Sequence, residues 1–140
     1  VVGFSGDGAF GIAVTELTAI GRPEWPAITM IVFRNYQWGA EKRNSTLWYD
    51  DNFVGTELDN NVSYAGIARA CGLQGVQANT MGELRDMLHK AIDDQMNHGK
   101  TTLIEAMINQ ELGEPFRRDA MKKPVAVAGI SASDMRPQSV

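Results

Sequence analysis

Asp7 stands between Gly6 and Gly8, directly after a short apolar run and directly before a helix-forming stretch. Glycines at such a turn let the backbone bend tightly and come close to a ligand. The first turn of the following helix offers free N–H groups and the positive end of its dipole, which suit a diphosphate. A carboxylate in that position would repel a bare phosphate. A divalent cation resolves the conflict, because carboxylate and phosphate oxygens can share it. Mg²⁺ takes about six oxygens, commonly one or two from protein and the rest from phosphate and water.

A second ligand is expected from Asn35, whose side-chain oxygen is hard and neutral and which follows the apolar run ending at Phe33-Arg34. Parallel strands of one sheet end on the same edge, the usual ligand edge of an open α/β sheet. Strand, Gly-Asp-Gly, helix, strand, Asn is therefore an order that brings Asp7 and Asn35 together. Two other readings stand beside this one. Asp7 could simply cap a structural turn. Gly6-Asp7-Gly8-Ala9-Phe10-Gly11 also fits the dinucleotide fingerprint G-x-G-x-x-G. Against the latter, an acid beside an unneutralised pyrophosphate is unfavourable. Arg34-Asn35 also stands where a ribose-binding acid would be needed.

The elements that must position these residues follow from periodicity. Val1 to Phe4 reads as the end of a buried strand. Phe10, Ala13, Val14, Leu17 and Ile20 recur at helical spacing, which predicts a helix over Ala9 to Ile20 with Gly21 as its stop. Ala27 to Phe33 is a near-continuous apolar run, as expected of a strand buried on both faces. Tyr36 to Asn61 mixes a short helix with loops. Ser63 caps a helix ending near Gly72, and Gly75 to Ala78 is a short strand. Thr80-Met81-Gly82-Glu83 is a capping box. It opens a helix to about Asn97 with Leu84, Leu88, Ala91 and Ile92 on one face. Thr101 to Ile108 is a further buried strand. This alternation predicts an α/β domain, a mainly parallel sheet with flanking helices, over residues 1–112. Residues 113–140 hold Pro115, Pro124 and Pro137 and read as a C-terminal tail.

Bulk properties narrow the function classes. A net charge of −4 argues against a nucleic-acid surface. No apolar run approaches the roughly 20 residues of a membrane helix, so no membrane partner is expected. Cys71 is the only cysteine, which excludes an internal disulfide and fits a cytoplasmic location. His89 and His98 lack zinc-site spacing, and His89 reads as a surface residue. Glu16 reads either as pairing across the sheet or as part of a solvated helix face, and Lys42 and Arg43 as solvated, with an anionic substrate as the alternative for these two cations. The tryptophans read as core or subunit contacts. Without an initiator Met or a basic leader, the start reads as a strand entered partway, which predicts a piece of a longer polypeptide.

Gly6-Asp7-Gly8 with Asn35 resembles the cofactor signature of thiamine-diphosphate enzymes of the acetohydroxyacid synthase and pyruvate decarboxylase kind. The resemblance covers roughly Val1 to Ile108. It implies that Asp7, Asn35 and the main-chain oxygen of Gln37 hold Mg²⁺. It also implies that Gly6, Gly8 and Ala9 frame the diphosphate, with N–H bonds from Gly8 and Ala9. The family often has Asn before the metal-binding Asn, where this chain has Arg34. Tyr36-Gln37-Trp38-Gly39 is expected to form the loop over the metal. The catalytic residues remain unknown, since the activating glutamate of this family comes from an N-terminal domain of the partner subunit.

Phe33 to Asn44, Thr46 to Asp50 and Leu103 to Met121 resemble the sulfoacetaldehyde acetyltransferases within that family. This implies sulfoacetaldehyde and phosphate as substrates, acetyl phosphate and sulfite as products, and a homo-oligomer, dimer or tetramer, with the site between subunits. The cofactor would supply the carbanion chemistry and the protein position and electrostatics. An acetohydroxyacid synthase-like decarboxylase and a non-catalytic metal–diphosphate binding module are the alternatives.

Overall fold

The structure is a computed structural model that describes residues 1–111. The expected tail, with Phe116 and its neighbours, lies outside the described residues. The two most apolar runs pair at the centre of the sheet as β2 (Thr29–Arg34) and β4 (Thr102–Met107). β1 (Val2–Gly6) flanks β2, and β3 (Gln74–Ala78) flanks β4, giving the order β1-β2-β4-β3. Every pairing is parallel.

Because successive side chains point to opposite faces, each central strand feeds two cores. Val32 and Leu103 join Phe10, Leu17, Tyr64, Ala65, Ala68 and Leu73 on one face. Ile31, Ile104 and Ala106 join Ala78 and Ala91 on the other, with Leu84, Met87 and Leu88 packed against them. The first face is covered by α1 (Asp7–Ile12), α2 (Leu17–Ile20) and α4 (Tyr64–Ala70), the second by α5 (Met81–His98). Helices on both faces explain why β2 and β4 lack the polar alternation of a half-exposed strand.

Three expectations need correction. β1 is a strand but not a buried one: Val2 and Phe4 are 38% and 66% exposed. Among the described residues β1 pairs only with β2, and the Phe4 ring leans on Phe33 at 6.2 Å. The helix expected over Ala9 to Ile20 starts at Asp7 and breaks after Ile12 into a 3-10 turn, Val14–Glu16, and then α2. Val14 and Thr15 are β-branched and weak helix formers, which favours the tighter turn. Ile92 is 39% exposed, while Leu84, Leu88 and Ala91 do face the core.

Local signals elsewhere are obeyed. The Ser63 hydroxyl accepts the Gly66 N–H at the start of α4. Thr80 accepts the Glu83 N–H, and the Glu83 carboxylate reaches back to the Asn79 N–H. That reciprocal bond lies one residue earlier than in a standard capping box. Gly99 ends α5 in the left-handed region at φ 62, where a side chain would be strained.

The chain divides into two compact units. One comprises Val1–Gln37 and Glu57–Gln110 and contains the whole sheet; the other contains Trp38–Thr56, with α3 (Gly39–Trp48). Within the second, the Lys42 ammonium sits 5.3 Å from the Phe53 ring centre.

Two stability predictions follow from close contacts in the first unit. A Cβ at Gly75 would lie 2.0 Å from the Ala65 carbonyl oxygen, so β3 approaches α4 too closely for any side chain. Gly75→Ala should destabilise the protein by about 1–3 kcal/mol through overpacking, read as a lower melting temperature of the full-length protein. Thr80→Ala should cost about 1 kcal/mol, and Thr80→Ser should recover most of it, because only the capping oxygen is at stake.

Candidate functional site

The C-terminal ends of the strands share one edge, as parallel pairing requires. Gly6 pairs with Phe33, and Arg34 pairs with Met107. Asp7 leaves the end of β1, and Asn35, Tyr36 and Gln37 leave the end of β2. The Asp7 carboxylate is 2% exposed and meets that second strand end directly. Its Oδ2 accepts from the Asn35 N–H at 3.1 Å, the Tyr36 N–H at 2.7 Å and the Arg34 Nη1 at 3.1 Å. Among the described residues its Oδ1 accepts only the Gly8 N–H, at 3.0 Å. Tyr36 adopts φ 61 at this turn, an uncommon conformation for a bulky residue. It aims one N–H at Asp7 while its carbonyl accepts from the Leu58 N–H.

Asn35 lies beside Asp7 through its backbone, and its side-chain Oδ1 accepts the Gln37 N–H at 3.3 Å. Gln37 forms an isolated antiparallel bridge with Glu57. The bonds flanking that bridge run from Leu58 N–H to the Tyr36 carbonyl and from Trp38 N–H to the Thr56 carbonyl. The pair is thus of the non-hydrogen-bonded kind, and the ladder leaves the Gln37 carbonyl unused. The Gln37 side chain is buried. Its Nε2 donates to the Gln110 carbonyl, while its Oε1 has no hydrogen-bond partner among the described residues.

Gly6 behaves differently from the expectation. Its φ of −75 is open to any residue, so the turn does not require glycine for its conformation. A Cβ built there meets nothing within 4 Å. The missing side chain leaves open space at the strand end, which is what close approach of a ligand needs. Gly8 is buried in the first turn of α1, and Ala9 is exposed beside it.

The largest feature absent from the sequence reading is a buried ion triad. Arg34 is 1% exposed, and its guanidinium touches two carboxylates, Asp7 at 3.1 Å and Glu105 at 3.5 Å. The Glu105 contact, through Arg34 Nε, is ionic without hydrogen-bond geometry. Arg34 Nη2 donates to the carbonyls of Asp59 and Val62. Its face lies 4.1 Å from the Tyr36 ring centre and 5.0 Å from that of Tyr64. Glu105 in turn accepts from the Ser63 hydroxyl and from the N–H groups of Tyr64 and Ala65. A carboxylate at the N-terminus of α4 is stabilised by those donors and by the helix dipole.

Tyr64 completes the cluster. Its ring packs edge-on to Phe10 at 5.2 Å, and its hydroxyl donates to the Asp7 carbonyl at 3.0 Å. Burial raises the Tyr64 pKa above its ordinary value; Arg34 opposes the shift, and the Asp7 and Glu105 charges add to it. The hydroxyl therefore stays protonated and keeps its donor.

A sequence signal for the triad existed. In β2 the side chains of Met30, Val32 and Arg34 share a face, and in β4 so do those of Leu103 and Glu105. Opposite charges on one buried face of neighbouring strands must meet or remain unpaired at high cost. The apolar character of both runs hid this.

The donor types around Asp7 fit a small, hard cation. They are the Asp7 carboxylate at one strand end and, from the turn at the other, the neutral amide oxygen of Asn35, which accepts the Gln37 N–H, and the Gln37 carbonyl, which the bridge with Glu57 leaves unpaired among the described residues. Two carboxylates and one guanidinium leave one net negative charge beside the open space at Gly6. No group of three or more His, Cys, Asp or Glu side chains suited to a metal occurs among the described residues. Any cation here would therefore need phosphate oxygens or water to complete its shell.

Comparison with known proteins gives the family. Residues 1–106 match the family model described as thiamine pyrophosphate enzyme, C-terminal TPP binding domain. The chain is 81% identical, over 138 residues, to a protein of Rhodobacter capsulatus named sulfoacetaldehyde acetyltransferase, covering 99% of this chain and 23% of that one. A protein of the same name from Roseovarius nubinhibens is 81% identical over 140 residues, again 23% of its length. The chain thus spans about a quarter of these relatives. The acetolactate synthase isozyme 2 large subunit of Escherichia coli is 26% identical over 79% of the chain and 19% of its own length. Among solved structures, benzoylformate decarboxylase from Polynucleobacter necessarius superposes with a TM-score of 0.70 at 23% identity, covering 81% of this chain and 20% of that one, a likeness of fold. The chain belongs to the thiamine pyrophosphate enzymes, as a C-terminal TPP-binding domain.

Proposed function

We propose that this chain is the diphosphate-binding part of an enzyme that converts sulfoacetaldehyde and phosphate to acetyl phosphate and sulfite. The observation that carries the substrate is the 81% identity, spread over essentially the whole chain, to proteins named for that reaction. The strand-end constellation carries the cofactor site. Asp7 Oδ1, the Asn35 side chain and the Gln37 carbonyl would hold Mg²⁺, and the open backbone at Gly6, Gly8 and Ala9 would receive the diphosphate.

Thiamine diphosphate, when bound, supplies the carbanion that attacks a substrate carbonyl. This chain's own part is to bind and orient. Its single net negative charge at the strand ends draws in a divalent cation, and the cation turns a repulsive acidic site into one that accepts two phosphates. The remaining length of the relatives leaves room for the pyrimidine-binding glutamate. A homo-oligomer with the site between subunits, in the cytoplasm, belongs to the same reading. No helix among the described residues is long and apolar enough to cross a membrane.

Two experiments test the proposal. In the full-length enzyme, Asp7→Ala should abolish Mg²⁺-dependent binding of thiamine diphosphate, measured by equilibrium dialysis; unchanged binding would remove Asp7 from the site. The wild-type enzyme should release sulfite and form acetyl phosphate together from sulfoacetaldehyde, only with thiamine diphosphate, Mg²⁺ and phosphate all present. Formation of acetolactate from pyruvate without sulfite release would move the enzyme to the synthase side of the family and leave the cofactor site standing.

A further inference from the structure

The three donors on Asp7 Oδ2 are more than its two lone pairs can fully satisfy, whereas Oδ1 carries one donor and keeps one position open. The carboxylate is therefore set to give a cation one oxygen. The strongest of the three restraints is the charged one, from Arg34. Arg34 cannot drift, because the Asp59 and Val62 carbonyls, Glu105 and two aromatic faces hold it on every side.

We propose that Arg34, anchored by Glu105, is a positioning residue that confines Asp7 to one-oxygen ligation and so biases the cation site toward Mg²⁺ over Ca²⁺. The inference rests on the cation site assigned above. Ca²⁺ is larger, takes six to eight oxygens and readily uses both oxygens of a carboxylate, whereas Mg²⁺ keeps a near-octahedral shell. A carboxylate with one oxygen locked away serves the smaller ion and handicaps the larger. Arg34 also repels any cation by its charge, but that repulsion acts on two divalent ions almost equally. The ratio of their affinities therefore isolates the geometric effect from the electrostatic one.

The same residues allow a purely structural alternative, in which Arg34 only neutralises the buried Glu105. Removing both charges together separates the two. In Arg34→Asn/Glu105→Gln no buried carboxylate is left at Glu105 to be neutralised, so a structural role predicts an unaltered ion preference. A positioning role predicts that Asp7, held on Oδ2 only by the neutral Asn35 and Tyr36 N–H groups once the charged donor is gone, turns more readily to share both oxygens.

The experiment uses the full-length enzyme stripped of metal. Thiamine diphosphate binding is followed by tryptophan fluorescence and checked by calorimetry, while MgCl₂ or CaCl₂ is titrated at fixed cofactor. The half-saturating concentrations give a Ca²⁺/Mg²⁺ ratio for each variant. Wild type should require more Ca²⁺ than Mg²⁺, and the double variant should move that ratio toward Ca²⁺ by part of the roughly 10–100-fold that loss of an outer-shell partner costs in affinity for a single metal. Arg34→Lys retains a charge but not the planar fork, and should shift the ratio in the same direction by a smaller factor. If the double variant does not fold, Arg34→Lys decides alone. An unchanged ratio in whichever variant folds, or a wild type without preference, overturns the inference. Cation-dependent cofactor binding that survives Asp7→Ala would instead bring down the underlying site. Loss of binding in Asp7→Ala with an unchanged ratio at Arg34 sinks this inference alone.

Discussion

The Arg34 guanidinium, buried between the carboxylates of Asp7 and Glu105, is the contact on which the rest of the strand-end edge depends. It joins pieces of chain far apart in sequence: the turn after β1, the end of β2, the 59–62 segment and the face of β4. Removing one member of such a buried group costs about 3–5 kcal/mol, because a charge is left without a partner in a medium that solvates it poorly. The triad is thus weak evidence for a gain in stability over apolar packing. It does restrict the arrangement, since the observed placement brings both carboxylates to one guanidinium.

That arrangement explains how the sheet makes a site. The backbone N–H groups of Asn35 and Tyr36 both point at Asp7, which requires a sharp turn directly after β2. Tyr36 sustains the turn with a positive φ, a strained choice for a residue with a large side chain. The strain is offset locally by two backbone hydrogen bonds and by stacking on Arg34. The outcome is that Gln37 enters its bridge with Glu57 at a non-hydrogen-bonded position and keeps its carbonyl unused. A backbone oxygen left unpaired by the ladder, just beyond the strand end that holds the carboxylate, follows from turn geometry without any specialised side chain.

Much of the fold was legible because each central strand announces itself by an apolar run and each helix by its cap. Ser63, Thr80 and Gly99 act at helix ends as their residue types dictate. Gly-Asp-Gly and Asn35 marked, for the same local reason, the two strand ends that the sheet brings side by side. Most of what the sequence hid is non-local, the break after Ile12 being the local exception. The exposure of Phe4 depends on which strand lies at the edge of the described sheet, and the early break after Ile12 depends on weak helix formers whose effect periodicity alone underrates. The Arg34–Glu105 pairing depends on strand register, which places Val32 opposite Glu105 and Arg34 opposite Met107. One residue of slip would turn Glu105 to the opposite core.

The same register argument bears on the departure at Arg34 from the Asn commonly found there in the family. On the metal-ligand pattern alone, the substitution looks neutral, since that position supplies no ligand. In the folded chain it cannot be read apart from Glu105. An arginine on this face without a facing acid would leave Asp7 and Arg34 as a neutral pair, with no residual charge to attract a cation. A glutamate without the arginine would put two carboxylates into one small volume and drive one of them toward protonation. Together they fix Asp7 and still leave one negative charge at the strand ends. Position 34 and position 105 therefore act as one unit in the fold, and the setting of the Asp7 carboxylate cannot be read apart from either.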